Sequence, residues 1–337
     1  MQYDTLGIQV TNRCNMTCDH CITSSGPRED GELAWDDIEP AIRGAAPYVD
    51  GVCVTGGEPL LRRELTLAII RLTRELGLVA SMVTNGSWAR SPSAAQQTVA
   101  DLADAGLDRL AVSYDRFHNS QLTNRTVLAQ LLEAASAASL EAQVQYCGSR
   151  DDDAYRIAEE VTTAHGARLT TAEVLPFGRG LHLVSPGQAR LEDVPKMPCE
   201  VARRPVLTPE RELFTCCGPA RGATSQSPLR LATNEPEATG DALKSGAVDP
   251  VLNAIHAQGP HALVEHLSSE ARERIATRLR DSSICSLCRA VTDDEHALAE
   301  VQSALSPDRH RLLALSAIQT QRWNAAQHKD AGTGECS

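Results

Sequence analysis

Residues 6–21 read LGIQVTNRCNMTCDHC, a short apolar run followed at once by three thiols, at Cys14, Cys18 and Cys21. Three and then two residues separate the thiols, and no fourth cysteine follows until Cys53. This spacing differs from the four-cysteine run of an electron-carrier ferredoxin and from the paired C-x-x-C of a structural zinc site. Three thiolates would hold three irons of a 4Fe–4S cube, which leaves the fourth iron open to a ligand that is not protein.

A second motif lies one strand–helix unit later, at Gly56-Gly57-Glu58-Pro59, where the apolar run 52–54 ends. Glycines at a strand end let the backbone approach a ligand closely, and a glutamate there can pair with an ammonium group. The two motifs together resemble the radical S-adenosylmethionine (radical SAM) superfamily, whose marks are C-x-x-x-C-x-x-C followed by G-G-E-P. The alternative interpretation is a zinc knuckle beside a glycine turn.

The resemblance implies a cofactor, a set of ligands and a reaction. In the superfamily, the free iron is chelated by the amino and carboxylate groups of SAM. An electron from the cluster then cleaves the sulfonium to give methionine and a 5′-deoxyadenosyl radical. Carried over to this sequence, the three cysteines of the first motif are the cluster ligands. Gly56, Gly57 and Glu58, with Pro59 next to them, are expected to contact the methionine end of SAM.

Composition and length exclude several classes of protein. The 337 residues can bury one barrel-sized domain with an appended module, while a net charge of -12 and a pI near 5.3 disfavour a nucleic-acid partner. Residues 1–10 carry no basic run and no long apolar core, so we expect neither a signal peptide nor an anchor there, and no later stretch approaches the roughly 20 apolar residues of a membrane-spanning helix. We therefore expect a cytoplasmic protein without a membrane partner, in which the cysteines serve metal binding or catalysis.

Short apolar runs alternate with helical patterns through the first half of the chain. Strands separated by helices of this length imply parallel β–α–β units with right-handed crossovers. Six such strands make a partial (β/α)6 barrel, an α/β fold in which functional residues gather at the carboxyl ends of the strands. The predicted strands lie at about 6–10, 51–55, 79–84, 109–113, 141–147 and 170–175, and the predicted helices at about 36–46, 62–76, 93–105, 120–138 and 151–165.

Polar residues follow the third and fourth of these strands. Thr84 and Asn85 precede a glycine in a sequence that readily forms a plain turn, but in the barrel it would contact SAM. Ser113 and Asp115 stand two apart at a strand end, so both can point into the barrel mouth, and in the superfamily such a pair contacts SAM or the substrate. His118 is a candidate catalyst together with Asp115, although a histidine after a strand is more often an ordinary loop residue.

The fifth and sixth strands end in further candidates. Cys147 ends the fifth strand, where its side chain could face the site, whereas Cys53 lies inside an apolar strand and is expected to be a small buried hydrophobe. The sixth run continues through 172–180 and ends in a glycine-flanked turn. It resembles the segment that meets the adenine in the superfamily, which makes Val174 and Leu175 candidate SAM contacts.

The character of the sequence changes after about residue 181, where prolines become frequent and the periodicity is lost. Residues 203–217 predict a β-hairpin with its turn at 209–212. A cysteine before a hairpin, a second at its end and a later C-x-x-C resemble the auxiliary-cluster module of SPASM and twitch radical SAM enzymes. The shorter, twitch-like module implies one auxiliary 4Fe–4S cluster, although four thiolates would suit zinc equally well. The implied ligands are Cys199, Cys216, Cys285 and Cys288.

Two adjacent cysteines compete for the position at the end of this hairpin. Neighbouring side chains on a strand point to opposite faces, so Cys216 and Cys217 cannot both meet one cluster if both are extended. Phe214 shares a face with Cys216 and, as the larger apolar side chain, should face the interior of the module. Cys216 is therefore the predicted ligand, and Cys217 is a candidate catalytic residue, a free thiol directed at the substrate.

The remaining segments complete the predicted organisation. Residues 218–250, rich in small residues and proline, are expected to be a long flexible connection, 250–280 one or two amphipathic helices, and 293–325 a final helix. The predicted domains are a radical SAM barrel at 1–185, an auxiliary-cluster module with a helical insertion at 186–290, and a C-terminal helix and tail at 291–337.

The predicted function is therefore that of a radical SAM enzyme, in which the 5′-deoxyadenosyl radical abstracts a hydrogen atom from the substrate. Members of the superfamily with such modules cross-link, epimerise or form thioethers in ribosomally made peptides, and others oxidise or epimerise small molecules such as an aminoglycoside precursor. A peptide is the predicted substrate, although only 13 residues precede Cys14 and no precursor-binding domain is expected there. A flavodoxin or ferredoxin is the expected reducing partner. The alternative of another class is a non-catalytic iron–sulfur or zinc protein, which would have no use for the loop at 56–59.

Overall fold

The six predicted barrel strands are present in the structure, a computed structural model. The sixth ends at Ala172 rather than near 175, because the residues that follow leave the sheet and contact the cysteine loop. The structure describes residues 2–118, 124–184, 189–216, 218–233 and 235–332. The strands are β1 (Thr5–Gln9), β2 (Gly51–Thr55), β3 (Val79–Thr84), β4 (Arg109–Ser113), β5 (Glu141–Cys147) and β6 (Arg168–Ala172).

Five helices connect these strands, and several begin and end at clear local signals. The side chain of Asn124 caps the fourth helix by accepting from the Thr126 amide, and Ser91 caps the third. Gly106 and Gly166 end the third and fifth helices in the left-handed conformation that glycine adopts easily. The helices are α1 (Trp35–Ala45), α2 (Arg63–Glu75), α3 (Pro92–Ala105), α4 (Arg125–Ala137) and α5 (Asp153–His165).

The six strands form one parallel sheet in the order β6-β5-β4-β3-β2-β1, and this sheet does not close on itself. Apolar side chains of neighbouring strands, such as Ile8 and Val54, are fully buried and pack with the helices into one core. Parallel pairing places the carboxyl ends of all six strands at the same end of the barrel. The predicted partial (β/α)6 architecture is confirmed.

The predicted β-hairpin is present, but it belongs to the barrel's own sheet. Its strands β7 (Val206–Leu207) and β8 (Glu212–Phe214) pair antiparallel, and β9 (Arg230–Thr233) pairs with β8. β7 also pairs in parallel with β1, with Val206 opposite Gly7. The described residues thus form a sheet of nine strands, in which the segment that bears the later cysteines is joined to the strand that precedes the first ones.

Part of the segment 218–250 is regular structure, not the flexible connection that its composition predicts. It contains β9 and α6 (Thr239–Ala247). Gly240 of α6 packs so closely on Gly44 of α1 that a Cβ at position 240 would come within 2.6 Å of the Gly44 carbonyl oxygen. The small residues that suggested flexibility therefore permit two helices to approach each other.

The C-terminal helices are shorter and more numerous than predicted. Gly259, at φ +91°, and Pro260 interrupt the predicted helical segment 250–280, and Pro307 lies in a break within the predicted helix 293–325. The helices are α7 (Pro250–Gln258), α8 (His261–Val264), α9 (Ser269–Arg278), α10 (Ile284–Thr292), α11 (Glu295–Leu305) and α12 (Arg309–Gly332).

A second buried cluster forms among these helices, and the hairpin connects it to the first. Leu207 and Leu213 belong to the barrel core, whereas Val206 and Phe214, which alternate with them along the two strands, belong to the second cluster. The hairpin is therefore shared by both cores. The predicted boundary near 185 falls at residues outside the described ranges, and the three predicted domains stay predictions. No described helix is long and apolar enough to cross a bilayer.

Candidate active site

A cavity of about 520 Å³ lies at the carboxyl ends of the barrel strands. A volume of this order is typical of sites that enclose small ligands. The cysteines of the first motif and the four later cysteines line the same cavity, so both candidate metal sites face one space. Each barrel strand contributes to the wall, through Cys14 after β1, Gly56 after β2, Asn85 after β3, Ser113 in β4, Cys147 in β5 and Leu175 after β6.

The cysteine loop and the glycine turn touch because β1 and β2 are parallel neighbours. The Gly57 amide donates to the Thr11 carbonyl (2.7 Å), and the Glu58 amide donates to the Arg13 carbonyl (3.0 Å). A Cβ at Gly57 would overlap the carbonyl group of Arg13, so glycine fits here and larger residues do not. The structure thus brings the two sequence motifs into direct contact.

Asn85 connects the loop after β3 to the cysteine loop. Its side-chain amide donates to the Cys14 sulfur (3.6 Å) and to the Asn15 side-chain oxygen (2.8 Å). Burial, with the nearby charges of Glu58 and Cys18, raises the pKa of the Cys14 thiol to about 11. Without metal this thiol is therefore protonated at neutral pH, and binding of iron would release the proton.

Glu58 is 2% exposed and points into the protein. Its carboxylate accepts from the Thr84 hydroxyl (2.9 Å) and from the amides of Asn85 (2.9 Å) and Leu60 (3.2 Å). Burial raises the pKa of this carboxyl group, against the effect of the hydrogen bonds. Neither Glu58 nor Pro59 is among the described residues that line the cavity. The carboxylate thus fixes the loop after β3, and its contact with SAM stays a prediction.

The other predicted SAM contacts are divided between the cavity wall and the layer behind it. Because side chains alternate along an extended segment, Glu173 and Leu175 face the cavity, whereas Val174 is not among the described residues that line it. Asp115 likewise does not line the cavity but lies behind His118, which does. The predicted contacts that line the cavity are Gly56, Gly57, Thr84, Asn85, Ser113 and Leu175.

Asp115 lies between two histidines. Its carboxylate, from a residue that is 1% exposed, comes within 2.9 Å of His118 Nδ1 and within 3.3 Å of His20 Nε2. It also accepts from the amides of Phe117 (2.8 Å) and His118 (3.0 Å). The His20 ring stacks on Phe117, with the ring centroids 4.5 Å apart. Asp115 therefore holds both imidazole rings beside the cysteine loop.

The buried aspartate and His118 stabilise each other's charged forms. Burial would raise the pKa of the Asp115 carboxyl group, but hydrogen bonds to His118 and His20 bring it below its usual range. Burial would also lower the pKa of His118, yet Asp115 and the Cys18 sulfur raise it to about 10. The sequence interpretation missed His20, and the available signal was its place between two cysteines of a loop that faces the cavity.

The later cysteines come together from separate segments. Cys199 precedes the hairpin, and its amide donates to a carbonyl of α7 (3.1 Å), while Cys216 follows β8. Cys285 and Cys288 lie one turn apart on α10, on one face of the helix. Burial and the charges of the other three sulfur atoms raise the pKa of the Cys288 thiol well above its usual value. The four predicted ligands are therefore neighbours, and Cys217 lies outside the described residues.

The spacing of the sulfur atoms bears on the choice between zinc and an iron–sulfur cluster. A zinc ion bound tetrahedrally at about 2.3 Å holds its sulfur ligands about 3.8 Å apart. Within the described part of the chain, one group of three possible metal ligands has all its donor atoms within 4.8 Å of one another. This group is His20, Asp115 and His118. Neither cysteine set meets this limit. Zinc and an iron–sulfur cluster therefore both stay predictions for the two cysteine sets.

Comparisons with known proteins found relatives of parts of this chain. Residues 8–141 match the family model of the radical SAM superfamily. The chain is 22% identical over 227 residues to the putative peptide biosynthesis protein YydG of Bacillus subtilis, covering 65% of this chain and 71% of that protein. It is 38% identical over 149 residues to a probable GTP 3′,8-cyclase of Halobacterium salinarum, covering 40% of this chain and 39% of that protein.

The similarity to these and other relatives is partial. A GTP 3′,8-cyclase of Limosilactobacillus fermentum is 29% identical over 194 residues, which is 53% of this chain and 56% of that protein. The chain therefore spans 56% and 39% of the lengths of these two cyclases. The crystal structure of Streptococcus suis SuiB aligns with a TM-score of 0.43 at 15% identity, over 78% of this chain and 74% of that one.

The close contact at Gly57 yields a test of the first site. We expect Gly57→Ala to lose about four irons per chain after anaerobic reconstitution, the content of one 4Fe–4S cluster, because the added methyl group forces the two motifs apart. Gly26→Ala is the matched control, since a Cβ there would make only ordinary contacts, the nearest at 3.6 Å. Iron analysis and circular dichroism check the result. Full iron content in a folded Gly57→Ala protein would contradict it.

Proposed function

We propose that this chain, which belongs to the radical SAM superfamily and is an enzyme, modifies a ribosomally made peptide through a 5′-deoxyadenosyl radical. The observation that supports this most strongly is the convergence of both cysteine sets and the Gly56-Gly57 turn on one cavity. A purely structural metal site has no need of such a cavity, so the non-catalytic alternative is disfavoured.

The thiols of Cys14, Cys18 and Cys21 fit a 4Fe–4S cluster with one open iron. All three line the cavity, and three thiolates leave one iron of a cube without a protein ligand. When bound, the cluster supplies the electron that cleaves SAM, and the resulting radical abstracts a hydrogen atom from the substrate. SAM would occupy the cavity beside Gly56 and Gly57, where the backbone is accessible.

The chain's own residues would position these groups and exclude water. Asn85 donates a hydrogen bond to the Cys14 sulfur, which orients the thiolate and stabilises its charge. His118, whose pKa Asp115 raises against the effect of burial, interacts with the Cys18 sulfur. We therefore assign Asp115 and His118 to orienting and charge-balancing the cysteine loop at the cavity wall.

The four later cysteines would hold an auxiliary 4Fe–4S cluster. Cys199, Cys216, Cys285 and Cys288 line the cavity and are mutually close. Such a cluster could exchange an electron with the substrate radical or bind the substrate, and a flavodoxin or ferredoxin would reduce the enzyme. Cys217 is proposed as the thiol directed at the substrate.

The peptide substrate is supported by the relative YydG, whose name refers to peptide biosynthesis and whose match covers 71% of its length. The matches to four GTP 3′,8-cyclases cover 40% to 53% of this chain. They favour a nucleotide as the second candidate substrate. A sugar or aminoglycoside-type intermediate remains the alternative among other small molecules.

Cleavage of SAM tests the assignment of the first motif. The reconstituted protein, given dithionite and SAM under anaerobic conditions, is expected to form 5′-deoxyadenosine. Cys18→Ala should abolish this product, because two thiolates cannot hold a cube with a single open iron. Cys53→Ala, a cysteine of β2 outside both sets, should retain it. Chromatography of the products provides the measurement, and undiminished 5′-deoxyadenosine from Cys18→Ala would refute the assignment.

Metal analysis tests the second site. We expect about eight irons per chain, two 4Fe–4S clusters, and about four in a Cys14/Cys18/Cys21 triple alanine variant. Cys216→Ala should lose about four irons, and Cys217→Ala should lose none, because only Cys216 is expected to face the cluster. One zinc and no iron in the triple variant would indicate that the distal site is a structural zinc site. Loss of iron from Cys217→Ala, with none lost from Cys216→Ala, would show that Cys217 and not Cys216 is the ligand.

Isotope transfer tests the substrate class. Short peptides encoded beside the gene, deuterated at the Cα positions and side chains, should transfer deuterium to 5′-deoxyadenosine and emerge with an altered mass or retention time. GTP in place of the peptide should be recovered unchanged. Mass spectrometry distinguishes the two. Consumption of GTP, with no change in any peptide, would replace the peptide with a nucleotide as the substrate.

A further inference from the structure

One segment of the chain contacts both cysteine sites. Residues 176–180, here called the strap, follow β6 and lie between the cysteine loop of the first motif and α10. On the first side, the Arg179 amide donates to the Cys21 carbonyl (3.0 Å), and its guanidinium Nε donates to the Cys18 carbonyl (2.9 Å). One residue thus holds the backbone at two of the three predicted cluster ligands.

The strap lies against this loop without any intervening side chain. Gly178 adopts φ +57°, and a Cβ at this position would come within 2.5 Å of the Cys21 carbonyl oxygen. A left-handed backbone and a close approach both require glycine here. The cysteine loop therefore cannot shift toward the strap, and a displacement of the strap would be transmitted to the loop.

The other side of the strap is held by two arginines that flank the C-x-x-C. Arg280 donates to the Pro176 carbonyl (3.1 Å). Phe177 is 7% exposed, and the guanidinium groups of Arg280 and Arg289 lie 5.5 and 5.8 Å from the centroid of its ring. Such cation–π contacts and burial fix the ring, so the strap follows α10, which bears Arg289, and the segment just before α10, which bears Arg280.

Arg289 extends this contact to the hairpin end. It donates to the carbonyls of Pro219, Arg221 (3.1 Å) and Gly222 (3.0 Å), and its Nε pairs with Asp293 (2.7 Å). These carbonyls belong to the loop that begins just after Cys216. Arg289 therefore connects the loop after one distal ligand, the helix that bears two others, and the ring of Phe177.

We propose that Phe177 and Arg179 are positioning residues through which the distal cysteine site controls the geometry of the SAM-binding cysteine loop. The proposal rests on the proposed function, in which both sites hold clusters. A cluster at the distal site would fix α10 and the loop after Cys216, and thereby the arginines that hold the strap. The strap would then keep the carbonyls of Cys18 and Cys21 in the arrangement that binds SAM.

The test is a cycle of variants of the full-length, reconstituted protein. SAM is titrated against the reduced protein, and the change in the electron paramagnetic resonance spectrum of the first cluster gives the apparent Kd. In the wild-type background, Cys285→Ala/Cys288→Ala should weaken SAM binding about fivefold or more, the lower end of typical couplings between sites. In an Arg179→Ala background, the same distal substitutions should change the Kd by less than twofold, because the connection is already lost.

Two further variants distinguish loss of the strap contacts from unfolding of the distal module. Arg280→Ala keeps all the cysteines and removes the contact with Pro176, so it should weaken SAM binding while about eight irons remain. Leu181→Ala is the matched control, since this neighbour of the strap is 42% exposed and should leave the Kd unchanged. An equal effect of the distal substitutions in both backgrounds, or no effect in either, would overturn the proposal.

The iron content shows whether the proposed auxiliary cluster fails independently of the role proposed for the strap. About four irons in the wild-type protein would show that the distal site holds no cluster, and the proposed auxiliary cluster would fail. Arg280→Ala and Phe177→Ala, compared with Leu181→Ala, would still decide whether the strap positions the SAM-binding loop. Unchanged SAM affinity in both of these variants, with circular dichroism like that of the wild type, would reject the role of the strap by itself.

Discussion

The parallel pairing of β1 with β2 is the constraint on which the site depends. Gln9 lies opposite Thr55 at the ends of these strands, so the chain leaves both strands at the same level. The cysteine loop and the glycine turn then meet through amide–carbonyl hydrogen bonds between 57–58 and 11–13. Absence of a side chain at Gly57 permits this contact. Without this pairing, the predicted cluster ligands and the predicted SAM-binding turn would lie apart.

A second pairing on the other side of β1 brings in the later cysteines. β7 continues the parallel sheet, and the hairpin places Cys216 beside the barrel mouth. The two faces of the hairpin bury Leu213 in the barrel core and Phe214 in the C-terminal core. The sheet of the barrel therefore carries the hairpin that leads to Cys216. The two cysteine sets face one cavity although they are 178 or more residues apart in sequence, with Cys21 and Cys199 at the nearest.

Local patterns predicted the barrel, and long-range contacts account for what was missed. Periodicity and the turn residues located the strands β1–β5, and the two motifs located the residues at their ends. The features that were missed depend on partners distant in sequence, as His20 depends on Asp115. They are helix α10, the regular structure within 218–233 and 235–250, and the contacts of His20. The contacts of Glu58 also could not be read from local sequence. Its motif indicates a ligand contact, whereas its buried carboxylate accepts a hydrogen bond from the backbone after β3. The strap has no sequence signature beyond its glycines.

Cys14, Cys18 and Cys21 are proposed to hold a cluster whose fourth iron is open to SAM within this cavity. Electron–nuclear double resonance of the reduced protein with SAM labelled with ¹⁵N at the amino group measures this directly. We expect a ¹⁵N hyperfine coupling to the cluster that is lost when all three cysteines are replaced by alanine, although the distal cluster remains. A reduced cluster whose spectrum shows no coupling and no change on addition of saturating SAM would show that SAM does not bind to its open iron.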